Sequence, residues 1–440
     1  MLLKNLYIVF IGILLFPFMT HTATSPAQGT KADLMRSTPA QFSGALQWVH
    51  KRGFTGKGQT IFFLEVYDDI LLKKLKKSLK GQLTLPQNRF LADSHNHAAD
   101  VLFVSHLIAP HANLAVAFPA NFGINIDPEK RQKKLSNITL LQTDRAVLLA
   151  PMKQAIVLNC SFKIFLFLPA FLRSINFTLS QGEKKLLIMS AGNEGQESIT
   201  NGQDLNTAAL YKMGTDPSLN PSLIIVGGLS QQFANRFNYP GDDTTIQDIY
   251  LCTLGAEFKE FDDEGGFANG TSLAAPIVSA SVALLKEAFP SLSVFNIKEC
   301  LLESASKNFF VRDYFRRSTS HGTFVYDPEE GPPDLKKLRN SQGEYSWPEE
   351  HNILTEPFDP YVYGKGVLDL RAAFIYAQLK VDHPAWGKEQ LRTEMKRLLK
   401  QQDTKAATTI QTAYRKHFAG KKLKNDMPPP SYDTLFPSSY

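Results

Sequence analysis

A chain of 440 residues that is 43% hydrophobic and 20% charged has an ordinary globular composition, long enough for one large core or two smaller ones. The formal charge is +6 at neutral pH, and much of the basic excess lies towards the carboxyl terminus. A body so close to neutral excludes an extended nucleic-acid-binding face.

At the amino terminus Lys4 and Asn5 precede an apolar run, Leu6 to Met19, that Gly12 and Pro17 interrupt. Small and polar residues follow, from Thr20 to Ser25. That is the pattern of a secretory signal peptide over residues 1–23, with cleavage after Ala23 or Ala27; an uncleaved anchor is the alternative. The run is short for a membrane span, which needs about 20 apolar residues. Residues 24–42 read as a short polar leader, leaving no room for a long prodomain before the next unit.

From 43 to 378, short apolar runs alternate with helical patterns. Thr60–Leu64, Leu114–Phe118, Ala155–Leu158, Lys185–Met189 and Leu223–Val226 are expected as buried strands. Ala98–Ile108 and Asp144–Lys153 are expected as helices between them. Strands alternating with helices predict an α/β fold: a three-layer sandwich with a mainly parallel sheet, flanked by helices. Ligands bind beyond the carboxyl ends of such strands. Lys163 and Arg173 interrupt the apolar stretch from Ile156 to Phe177, so a core strand plus loop is expected there. Residues 306 to 360 are rich in Pro, Gly, Glu and Arg without periodicity, as a functional or disordered loop would be. A basic helical extension over 379–426 follows, broken at Pro384, and then a Pro- and Ser-rich tail over 427–440 expected to be disordered. Three cysteines, Cys160, Cys252 and Cys300, are too few for a disulfide framework. No His/Cys cluster has metal-ligand spacing, and no cofactor is called for; a structural calcium site cannot be traced.

The sharpest local signal is Asn269-Gly270-Thr271-Ser272-Leu273-Ala274-Ala275-Pro276, which leads into an apolar helix, Ile277 to Phe289. A serine there sits where unpaired backbone N–H groups and the helix dipole favour negative charge. Gly270 lets the chain bend, and Pro276 is expected in the first turn, where its missing N–H is harmless. An ordinary N-cap serine is the bland reading. Upstream lie Asp93-Ser94-His95-Asn96-His97-Ala98-Ala99-Asp100-Val101, and Leu186 to Gly195, where a buried strand runs into Ala191-Gly192-Asn193-Glu194-Gly195. Gly53-Phe54-Thr55-Gly56-Lys57-Gly58 precedes the first strand, which ends at Glu65.

In this order the blocks resemble those of the subtilisin-like serine peptidases (subtilases, peptidase family S8). The resemblance covers about residues 43–378. Ile108-Ala109-Pro110-His111-Ala112, Asn220 to Gly227, and the turn Tyr363-Gly364-Lys365-Gly366-Val367-Leu368-Asp369-Leu370 also fit it. It implies a serine endopeptidase in which Ser272 is the nucleophile and His97 its base, with His95 as runner-up. Asn193 would stabilise the oxyanion beside the Ser272 backbone N–H. The family's acid is an aspartate; here the ungapped register selects Glu65, with Asp68 and Asp69 as substitutes. The shorter Glu65→Asp side chain is therefore expected to keep or raise activity. Asn159-Cys160-Ser161-Phe162 resembles the strand that pairs with an extended substrate, which makes Ser161, Phe162 and Gly192 substrate-binding candidates. The rival reading is a catalytically impaired subtilase scaffold that binds partners through its tail. An esterase is disfavoured because no Gly-x-Ser-x-Gly elbow surrounds Ser272.

Two tail motifs remain. Ile410-Gln411-Thr412-Ala413-Tyr414-Arg415-Lys416, with Phe418 and Leu423, resembles the IQ motif that binds calmodulin-like proteins. A basic helix docked on the body is the alternative. Pro429-Pro430-Ser431-Tyr432 fits a WW-domain ligand. With the signal peptide, these point to a secreted or periplasmic protein, or one delivered to a host cell.

Overall fold

The computed structural model describes residues 38–65, 83–84, 97–117, 152–161, 185–194, 198–202, 204–229, 237–255, 258–259, 267–268, 270–307 and 359–402. The signal segment, Asp68, Asp69, His95, Phe162, the IQ-like stretch and the Pro-Pro-x-Tyr motif lie outside the described residues.

Seven strands form one sheet: β1 (Thr60–Leu64), β2 (Leu83–Thr84), β3 (Asn113–Ala117), β4 (Val157–Cys160), β5 (Leu186–Ser190), β6 (Leu223–Leu229) and β7 (Tyr250–Leu254). Their spatial order is β2-β3-β1-β4-β5-β6-β7, and every pair is parallel. β1 shows why the strands read as unbroken apolar runs. Ile61 and Phe63 enter the core on one face, while Phe62 and Leu64 enter a second core on the other. With both faces covered, alternation disappears from the sequence. After β1 the chain fills one side of the sheet with β2 and β3, then crosses to β4 on the other side. The crevice beyond the carboxyl end of β1 is thus the topological switch point, where α/β sheets place their ligands.

Helices α1 (Thr38–His50) and α2 (His97–Ile108) belong to the first core, and α3 (Leu205–Gly214) to the second. The long α4 (Thr271–Ala288) runs through the first core and is buried from Thr271 to Leu285. Its three serines, Ser272, Ser279 and Ser281, sit there without exposing apolar surface. Ser281 donates to the Ile277 carbonyl, so its hydroxyl is satisfied within the helix. Pro276 is not in the first turn, as expected, but is the sixth residue of α4. There it denies the Ser272 carbonyl its intrahelical donor. α2 packs on α4, and the Ser105 hydroxyl donates to the Pro276 carbonyl at 3.1 Å.

α5 (Val294–Glu303) follows, and the domain closes where Gly366–Leu368 runs along β7. Cys252 N–H donates to the Gly366 carbonyl and Leu368 N–H to the Cys252 carbonyl, both at 2.8 Å. α6 (Leu370–Asp382) starts on Asp369, whose carboxylate accepts from Ala372 N–H. The boundary expected after residue 378 falls inside this helix. Beyond His383, residues 388–402 are helical again, and Leu391, Met395 and Leu399 are buried in the same core as α4 and α6. This much of the basic extension is part of the body. No helix among the described residues is long and apolar enough to cross a membrane.

Candidate active site

The carboxyl end of β1 delivers Glu65 into the interior, where it is fully buried. Its Oε2 lies 3.0 Å from Nδ1 of His97, the first residue of α2. Because a carboxylate accepts, Nδ1 carries the proton and Nε2 of the neutral ring keeps a lone pair. Burial opposes charge on this imidazole, but the Glu65 charge and hydrogen bond, with Asp100 nearby, outweigh it and raise the pKa. The side chain is 37% exposed, so part of it is accessible. The neighbouring histidines are occupied differently. His106 is half-buried, and desolvation holds its pKa down at about 4, while His111 meets the Thr55 hydroxyl at 2.9 Å. Among the described residues, neither meets a carboxylate.

Ser272 is the second residue of α4 and only 8% exposed. Its N–H belongs to the helix start, where no intrahelical acceptor exists. Asn193 emerges from the loop after β5. Its Oδ1 accepts from Thr271 N–H at 2.9 Å and from the Thr271 hydroxyl at 3.0 Å. A backbone N–H needs an acceptor, so this contact fixes which end of the amide is oxygen and sends Nδ2 the other way. Nδ2 and the Ser272 hydroxyl then share a space. A Cβ built on Gly270 would lie 3.0 Å from each. Glycine at 270 is therefore needed to keep that space open. The Ser272 hydroxyl makes no hydrogen bond to His97; catalytic hydrogen bonds in ligand-free sites are often long and tighten on binding.

The substrate-binding candidates behave differently. Ser161 is buried, and its hydroxyl accepts from Asn159 Nδ2 at 2.8 Å. Asn159 Oδ1 in turn accepts from Ser279 of α4 at 2.9 Å. The Ser161 side chain thus turns inward onto Asn159, which ties the strand to the helix. Gly192 has φ +108, donates its N–H to the Thr271 hydroxyl at 3.0 Å and accepts from Asn238 N–H at 3.1 Å. Both groups are engaged within the loop and shape it. Asn238 is the polar residue that motif reasoning missed. It lies in Phe237-Asn238-Tyr239-Pro240-Gly241, a stretch that reads only as a turn.

The three cysteines are free and buried, and burial raises the pKa of each thiol, with the Glu65 charge adding to it at Cys160. Thiolate chemistry at these positions is suppressed.

The model of the subtilase family (peptidase S8) matches residues 169–331. That segment contains Asn193 and Ser272 and stops short of Glu65 and His97. Among solved structures, the prenylagaramide maturation protease PagA is 17% identical, covering 75% of this chain and 96% of its own, with a TM-score of 0.43. MycP1 from the ESX-1 type VII secretion system is 16% identical, covering 81% and 88%, with a TM-score of 0.39. An S218A mutant of the PatA protease domain is 17% identical, covering 57% and 89%, with a TM-score of 0.36. No curated protein matches the sequence significantly.

Proposed function

From a chain that carries a subtilase-family domain, we propose a serine endopeptidase that hydrolyses peptide bonds. In this reading the Ser272 hydroxyl attacks the peptide carbonyl while His97 Nε2 takes its proton. Glu65 holds the imidazolium that forms. The oxygen that becomes negative is met by Asn193 Nδ2 and the Ser272 N–H. His97 then gives its proton to the leaving amine, and water resolves the acyl-enzyme by the same route. The observation that carries this reading is the contact of a fully buried carboxylate with His97 Nδ1, at the switch point of the sheet. A structural ion pair has no need of an imidazole that is 37% exposed.

The same proposal takes the protein as exported through its signal peptide. Its tail would engage a calmodulin-like protein through Ile410, Gln411 and Arg415, and a WW domain through Pro429, Pro430 and Tyr432. The sequence motifs alone support these partners.

Labelling with a fluorophosphonate, alongside cleavage of a protein substrate, tests the chemistry. Wild type should take the label and cleave; Ser272→Ala should lose the label and about a million-fold in kcat. A wild type that resists the label, or a Ser272→Ala variant that still takes it, would refute the assignment and favour the impaired scaffold.

A further inference from the structure

Asn238 lies behind the loop that carries Asn193, and no step above uses it. Its side chain is fully buried. Nδ2 donates to the Ala191 carbonyl at 3.2 Å and to Glu194 Oε2 at 2.8 Å, while the backbone N–H donates to the Gly192 carbonyl at 3.1 Å. These three acceptors bracket Asn193 along the chain. The Asn238 carbonyl accepts from the Tyr250 hydroxyl at 2.5 Å, which ties the clamp to β7. Gly192 lets the clamp close, since a Cβ there would run into Asn238 Nδ2 and Glu194 Oε2.

Both side-chain acceptors demand the NH2 end of the amide, so its orientation is fixed. The consequence is that Asn238 Oδ1 is left buried without a partner. An unpaired buried acceptor is unfavourable, and a residue serving packing alone would avoid it. The two donors are what this position gains in return.

We propose that Asn238 is a positioning residue for the oxyanion site: it clamps Ala191, Gly192 and Glu194 so that the Asn193 amide stays aimed at the space beside Ser272. This rests on the peptidase reading. Oxyanion donors act only when held close to the developing charge, so a loosened loop should slow the chemical step more than it weakens binding.

The test is a double-mutant cycle. Asn238→Ala should lower kcat about tenfold with KM changed less than about twofold, and should cost nothing further in an Asn193→Ala background. Glu194→Ala, half-buried on the loop, should show the same pattern more weakly, and Glu194→Gln, which keeps an acceptor, should recover. Should Asn238→Ala not fold, the Glu194 pair decides alone. Unchanged kcat, a loss confined to KM, or losses that multiply with Asn193→Ala overturn the proposal. Amide hydrogen exchange separates its failure from that of the peptidase reading. If wild type shows no Ser272-dependent turnover, that reading fails. Faster exchange over residues 190–194 in Asn238→Ala, with α4 unchanged, still supports the clamp, and unchanged exchange there refutes it.

Discussion

The serine half and the histidine half of the candidate site are held in opposite ways. Around Ser272, Thr271 bonds Asn193 and Gly192, Gly270 keeps the shared space open, and Asn238 clamps the loop from behind. Around His97, among the described residues, the ring is held by Glu65 Oε2 at Nδ1. A lattice of short contacts ties each residue to several neighbours, so no member can change size alone. The contact at Nδ1 demands that a carboxylate arrive within reach. The segment that matches the subtilase model, 169–331, holds the serine half, while Glu65 and His97 lie outside it.

The strongest test of this contrast is Glu65→Gln. Without the carboxylate at Nδ1, the wrong imidazole tautomer should lower kcat by about 10⁴-fold. The pH profile adds a sign. Since Glu65 raises the His97 pKa, the acid limb of kcat/KM should lie above that of an ordinary imidazole, and Glu65→Gln should shift any residual limb downward. Stability runs the other way. A raised pKa means that the pair's contribution is full below the unfolded imidazole value and is lost as pH rises through the folded one. Activity should therefore appear as that contribution fades, measurable by melting temperature against pH in the inactive Ser272→Ala variant.

Asn193→Ala should cost less, about 100- to 1,000-fold in kcat, because the Ser272 N–H remains as an oxyanion donor. A loss as large as that of Glu65→Gln would show that the two halves are equally brittle, and the contrast would fall.

Smaller still is Glu65→Asp, and here geometry reverses the expectation drawn from the family pattern. The glutamate already reaches Nδ1 at 3.0 Å. An aspartate on the same backbone ends roughly one C–C bond, about 1.5 Å, short. The expected outcome is a 10- to 100-fold lower kcat, since misplacement by about an ångström can cost that much. Equal or higher activity would mean that β1 or α2 shifts to close the gap.

What the sequence disclosed follows the same division. β1 is predicted to its ends, Glu65 follows from its register, and the helix behind Ser272 is evident from its apolar length. Local pattern suffices where a strand or helix is set by its own residues. β2, with two residues, and β7, where only Thr253 of Tyr250-Leu251-Cys252-Thr253-Leu254 is β-branched, offered little pattern to read. Asn238 was invisible for another reason. Its role depends on Ala191, Gly192 and Glu194, more than 40 residues away, and no spacing rule links them. The inward turn of Ser161 likewise depends on Asn159 and Ser279 together.

The smallest effect on catalysis should come from the helix over residues 388–402. Periodicity shows which face is apolar, with Leu391, Met395 and Leu399 at a spacing of four, but not what covers it. The structure buries that face against the first core, and Arg392 and Lys388 reach Glu303 at the end of α5. Arg371 of α6 also donates to Gln402 at 3.0 Å. A truncation after residue 380 would strip three core side chains and expose their partners, so it should unfold the body, contrary to the notion of a detachable extension. The milder Leu391→Ala should lower unfolding free energy by about 2–5 kcal/mol in denaturant titration. Its kcat per folded molecule should match wild type, because neither the Thr271–Asn193 bonds nor the Glu65–His97 contact involves this face. If kcat falls with stability, the helix reaches the active site through α4, and the division between a self-held site and its support is wrong.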